Sequence, residues 1–120
     1  MSAKEHSRLL PRLRVMHGAT ILLGPGKADL LEAIERCGSI RDAAAELEMS
    51  YMRAWTLVRA MNEGFLEPLV VVHRGGAGRG GAELTAMGQL ALRLYRTLES
   101  DALQATRPVW KKLQKLLRVT

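Results

Sequence analysis

The sequence predicts a mainly α fold with small β-hairpins (α+β), a winged helix-turn-helix carrying a long C-terminal helix. Three observations lead there. Residues 39–63 read as two helices joined by a tight turn, with alanines where they would cross. A glycine- and arginine-rich loop follows, set between two short β-compatible runs over residues 69–84. Hydrophobic residues make up 48% of the chain but aromatics only 4%, so the core is built from Leu, Ala, Val, Ile and Met, which favours helix.

Each element follows from a local signal. Arg12–Met16 and Thr20–Leu23 are short β-compatible runs, and His17-Gly18-Ala19 between them can turn, giving an N-terminal hairpin over residues 12–23. Gly24-Pro25-Gly26 breaks the chain. A helix is expected over residues 27–37, with Leu30, Leu31, Ile34 and Cys37 on its apolar stripe and Gly38 as C-terminal cap. Ser39 with Asp42 three residues on marks the next N-terminus. In that helix Ile40, Ala43, Ala44 and Leu47 share one face. Glu48-Met49 makes the turn, and no glycine is present in it, so Glu48 is expected in a left-handed conformation at a cost of roughly 1 kcal/mol.

Ser50 caps the third helix, expected to run to about Glu63 with Ala54, Leu57, Val58 and Met61 facing inward and Trp55 beside them. The wing spans residues 69–84: a strand over 69–73, a loop from Gly75 to Gly81, and a short return strand over 82–84. Thr85 caps a long helix over 85–104 whose stripe reads Met87, Leu90, Ala91, Leu94, Leu98 and Ala102. Pro108 is expected to break or kink it. A basic amphipathic helical extension over 105–120 places Val109, Trp110, Leu113, Leu116 and Leu117 on one side. The predicted organisation is therefore a winged helix-turn-helix domain at 1–104 and an extension at 105–120.

The 120 residues carry a formal charge of +6, with a pI of about 10.1. A basic balance favours an anionic partner, and double-stranded DNA fits the motif better than a membrane surface. Cys37 is the single cysteine, which rules out an internal disulfide and a cysteine zinc site and fits a reducing, cytoplasmic setting. No run is apolar enough for a transmembrane span and the start lacks the pattern of a secretion signal. His6, His17 and His73 have no partners at metal-ligand or triad spacing, so neither an enzyme nor a cofactor is expected. The Gly75–Gly81 loop is followed by a return strand rather than a helix, unlike a nucleotide-binding glycine fingerprint.

The candidate DNA-contacting residues lie on the third helix and the wing. With the apolar stripe buried, Tyr51, Met52, Arg53, Thr56 and Arg59 remain outside. Near the N-terminus of such a helix, side chains reach base edges in the major groove, and Arg53 can bond both acceptors of guanine. Thr56 reaches a base or a phosphate, Arg59 a phosphate, and Ser50 can cap the helix while bonding phosphate. In the wing, Arg74 and Arg79 sit among glycines that let the backbone approach a phosphate path or a minor groove.

Gly24-Pro25-Gly26-Lys27-Ala28-Asp29-Leu30-Leu31, Gly38-Ser39-Ile40, Ala43-Ala44, Met49-Ser50-Tyr51, Ala54-Trp55, Met61-Asn62 and Leu84-Thr85-Ala86-Met87-Gly88 together resemble the N-terminal DNA-binding domain of the molybdate-responsive regulators, the ModE family. The resemblance covers roughly residues 12–104. The helix-turn-helix alone also resembles the LysR-type regulators. The resemblance implies a winged helix-turn-helix that dimerises and binds a near-palindromic operator, with the helix from Thr85 onward as the candidate dimer contact. Full-length family members carry a C-terminal molybdate-binding region. The residues up to Thr120 show no sign of that β-rich domain, so no small-molecule effector is expected within this chain. Two other readings stand beside the regulator: a winged-helix protein-interaction module, and a nonspecific binder of nucleic acid or anionic surfaces.

Overall fold

A computed structural model of the chain describes residues 6–74 and 80–118. Its elements run β1 (Val15–His17), β2 (Thr20–Leu23), α1 (Pro25–Cys37), α2 (Ile40–Glu46), α3 (Tyr51–Gly64), β3 (Val70–Arg74), β4 (Gly80–Leu84) and α4 (Ala86–Gln114). The two sheets are antiparallel hairpins, β1 with β2 and β3 with β4. This is the mixed α+β winged helix with a long last helix.

The helix-turn-helix forms where capping predicts it. The Asp42 amide donates to Ser39 Oγ at 3.0 Å and the Arg53 amide to Ser50 Oγ at 3.1 Å. Each bond satisfies a backbone donor that a helix start leaves orphaned. Between α2 and α3, Glu48 adopts φ 56°, the left-handed geometry the turn demands. The amide of Met49 then reaches back to the Ala44 carbonyl at 3.0 Å. α1 starts at Pro25, two residues ahead of expectation, because proline is preorganised for a first helical position. Gly38, at φ 78°, closes it by donating to the Ile34 carbonyl at 2.8 Å.

The core lies where α1 meets α2, α3, the wing and α4. Leu30, Leu31, Ile34, Val58, Met61, Leu69 and Tyr95 are fully enclosed. The wing is anchored at its base, since the Ala82 amide donates to the Gly38 carbonyl at 2.8 Å. Asn62 of α3 holds the start of β3: its Oδ1 accepts from the amides of Leu69 and Val70, and its Nδ2 donates to the Val70 carbonyl.

The long helix differs from expectation in two ways. First, α4 runs through Pro108 without a break, so residues 105–114 continue it rather than forming a separate segment. Pro108 and Gln104, whose carbonyl loses its intrahelical donor, are both exposed, so solvent can take up the orphaned acceptor. Second, the face that docks is Gly88, Leu92 and Tyr95, with Met87 and Ala91 at its margin, whereas Leu90, Leu94 and Leu98 are exposed. Gly88 sets this choice. A Cβ there would lie 2.1 Å from the Leu69 carbonyl oxygen, so only glycine lets the first turn sit on the backbone just before β3. Further along, the Tyr95 hydroxyl donates to the Leu13 carbonyl at 2.7 Å and Gln114 bonds Ser7, so the N-terminal segment runs beside α4.

Gly88→Ala is therefore expected to destabilise the fold by about 3 kcal/mol, since overpacking against backbone leaves no side chain to move aside. Gly26, with nothing within 4 Å of an added Cβ, is the control. Gly26→Ala should be neutral or stabilising by up to about 1 kcal/mol. Urea denaturation midpoints at unchanged slope give both values.

Candidate nucleic-acid interface

α3 presents three strips. Ala54, Val58 and Met61 point into the core. Met52, Thr56 and Arg59, spaced by four and three residues, form the exposed ridge, with Met52 72% exposed. Tyr51 and Trp55 lie on the flank toward the wing, and Arg53 with Leu57 on the opposite flank. Ser50, Tyr51, Met52, Arg53, Thr56 and Arg59 are thus brought together around one solvent face of one helix. Arg74 is exposed at the outer end of β3, paired with Gly80 across the wing. Arg79 lies outside the described residues.

The chemistry of this face is set by its neighbours. The Thr56 hydroxyl donates to the Met52 carbonyl at 3.0 Å, so toward a ligand it is an acceptor, suited to an exocyclic amino group of adenine or cytosine. Tyr51 is held on both sides. Its ring meets Trp55 edge-on, centroids 6.3 Å apart at 89°, and the Arg41 guanidinium sits 4.6 Å above it. Arg41 belongs to the first turn of α2, and the linear pattern does not single it out. It faces the cleft between α3 and the wing, which Ser39, Val72 and Gly81 also line. The only cue in the sequence is its place two residues after the Ser39 cap; the stacking partner lies ten residues on, across the turn.

Two acidic groups on the elements beside α3 have side-chain partners. Arg36 forks onto Glu46, and that hydrogen bond holds the Glu46 carboxyl below its ordinary range. Glu83 pairs with His73 across the wing at 3.1 Å. On the far side of the domain Arg96 of α4 reaches Asp29 at 2.8 Å and Glu32 at 2.9 Å on α1, and Glu99 at 2.9 Å on its own helix. Partial burial pulls the Arg96 pKa down, but the hydrogen bonds to Asp29, Glu99 and Glu32 outweigh it and hold the proton more tightly than in a free arginine. Among the described residues no cluster of His, Cys, Asp or Glu could hold a metal ion, and no helix is long and apolar enough to cross a membrane.

The bacterial regulatory helix-turn-helix proteins of the lysR family match residues 27–89, from the first turn of α1 to the first turn of α4. The chain belongs to this family. Among curated relatives, the molybdenum transport protein ModE of Azotobacter vinelandii is 40% identical over 79% of the chain and 35% of its own length. The transcriptional regulator ModE of Haemophilus influenzae is 38% identical over 66% of the chain and 31% of its own length. The DNA-binding transcriptional dual regulator ModE of Escherichia coli is 39% identical over 62% of the chain and 28% of its own length. The chain thus spans about a third of the length of the relatives it matches. The Haemophilus and Escherichia relatives are named as transcriptional regulators, and in this chain the lysR-family match covers the α1 to α4 body described above.

The turn of this helix-turn-helix gives a direct test. Glu48→Gly removes the left-handed penalty of a Cβ-bearing residue and is expected to raise stability by up to about 1 kcal/mol. Glu48→Val, β-branched at the same φ of 56°, should lower it. Midpoints of chemical denaturation measure both, and a stabilised valine variant would contradict the assigned backbone geometry.

Proposed function

We propose that the chain is the DNA-reading domain of a homodimeric transcriptional regulator that binds a near-palindromic operator, linked to genes of molybdate or metal-oxyanion handling. The exposed ridge and flanks of α3 carry the DNA-binding reading, a capped helix whose polar face stands clear of the core while its neighbours supply cations. The molybdate link rests on the names of the relatives. Arg53 and Thr56 reach base edges from the N-terminal half of α3, with Tyr51 and Met52 offering apolar surface to a thymine methyl. Ser50, Arg59, Arg74 and Arg79 hold the sugar-phosphate backbone, and Arg41 joins them on the wing side.

The exposed face of α4 supports the dimer. Leu90, Leu94, Leu98, Val109 and Leu113 stay open to solvent along one helix, and a stripe of that length calls for a partner surface. A second copy supplies one by symmetry, and a two-fold axis places two α3 helices in successive major grooves about 34–36 Å apart.

Fluorescence anisotropy with the gene's own upstream duplex and a scrambled duplex tests the first part. The specific site should be favoured by about a thousandfold or more at physiological salt. Arg53→Ala should narrow that ratio by about 1–3 kcal/mol, whereas Arg59→Ala should weaken both duplexes alike. A full ratio in Arg53→Ala would remove Arg53 from base reading.

Sedimentation equilibrium tests the second part. The parent chain is expected as a dimer and the paired Leu94→Glu, Leu98→Glu variant as a folded monomer with reduced affinity for a two-half-site duplex. A monomeric parent chain would overturn dimerisation through α4.

A further inference from the structure

On the side of α3 away from the wing, a cleft of about 480 Å³ opens between the N-terminal hairpin and the start of α1. Arg12, Arg14, Lys27 and Arg53 border it. Among the described residues none of these four has a carboxylate within ion-pair distance, whereas Arg36 and Arg96 are both paired with acids. Arg12 and Arg14 lie before the span matched by the lysR family.

We infer that this cleft is a second phosphate-gripping surface, taking the backbone of the same duplex whose major groove α3 enters, on the side opposite the wing. The inference rests on the DNA-binding reading of α3 and extends it to a part of the chain outside the helix-turn-helix. A major groove is bordered by two phosphate backbones. On the wing side α3 has Arg41; on the hairpin side it has Arg12, Arg14 and Lys27, with Arg53 joining that cluster to the reading helix.

Two of the four are partly held in place. Lys27 Nζ donates to the Ile21 carbonyl, which ties α1 to β2. The stem of Arg14 packs beside Gly24, where an added Cβ would lie 3.6 Å from Arg14 Cγ. Cations fixed by packing lose less freedom on binding than free side chains. A guanidinium fork suits carboxylate and phosphate alike; what favours a phosphate backbone over an acidic peptide is Arg53, which makes the cluster continuous with α3.

The test is the paired Arg12→Ala, Arg14→Ala variant, with Arg12→Lys, Arg14→Lys beside it, titrated by anisotropy against specific and scrambled duplexes over a range of salt. The alanine variant should bind both duplexes about thirtyfold more weakly at physiological salt. Its salt slope should fall by about two, one for each lost phosphate contact, with the specificity ratio kept. The lysine variant should recover most of the slope, and thermal melts should coincide with the parent, which separates lost contacts from lost folding. Unchanged slope and affinity in the alanine variant, with a parent that binds the specific duplex, would overturn the hairpin surface and leave the α3 reading intact. A parent that binds no duplex would overturn both.

Discussion

The structure depends on one junction, the turn at Pro68, Leu69 and Val70. Asn62 of α3 closes on it with three hydrogen bonds. From the other side the Thr85 hydroxyl donates to the Pro68 carbonyl at 2.7 Å, and the Thr85 amide donates to that of Leu69. Gly88 then brings the first turn of α4 against the same Leu69 carbonyl. Three elements, α3, the β3–β4 wing and α4, therefore take their relative positions from one short piece of backbone. Its polar groups are partly buried, so a lost partner leaves an unsatisfied group at a cost of about 1–3 kcal/mol. That is a large share of the stability of a domain of this size.

Charge is sorted by the same frame. α1 carries Asp29 and Glu32 on the face that meets α4, where Arg96 gathers them with Glu99. Without that arginine three carboxylates would crowd at the seam between the two helices. With it, the acidic side of α1 is committed to packing α4. The faces around α3 keep Arg41 on one flank and Arg12, Arg14 and Lys27 on the other. Part of the net charge of +6 is thus gathered on the two flanks of α3.

The parts of this arrangement visible in the sequence are those that local chemistry decides. Ser39, Ser50 and Thr85 announce three helix starts because capping acts within three residues. The strain at Glu48 is legible for the same reason, as a tight turn with no glycine must place a side-chain-bearing residue at positive φ. What escapes is whatever is settled by contact between distant segments. The periodicity of α4 offers two apolar faces, and the close seat of Gly88, where a Cβ would lie 2.1 Å from the Leu69 carbonyl oxygen, decides which one docks. Pro108 reads as a break or kink, yet the helix continues past it, with the orphaned Gln104 carbonyl in an exposed stretch. Arg41 over Tyr51, and the cleft that gathers Arg12, Arg14, Lys27 and Arg53, bring together residues from separate elements with no pattern to mark them.

The long helix joins these two levels. Its first turn is bolted to the junction that also carries α3 and the wing, while Leu90, Leu94, Leu98, Val109 and Leu113 along its 29 residues are left exposed. A helix of that length spans about 43 Å, longer than the spacing of successive major grooves. With little slack between Gly88 and Asn62, a second copy pairing along α4 would transmit the angle and spacing of that pairing directly to two reading helices. Selectivity for a two-part site would then come from a rigid distance as much as from side chains at base edges.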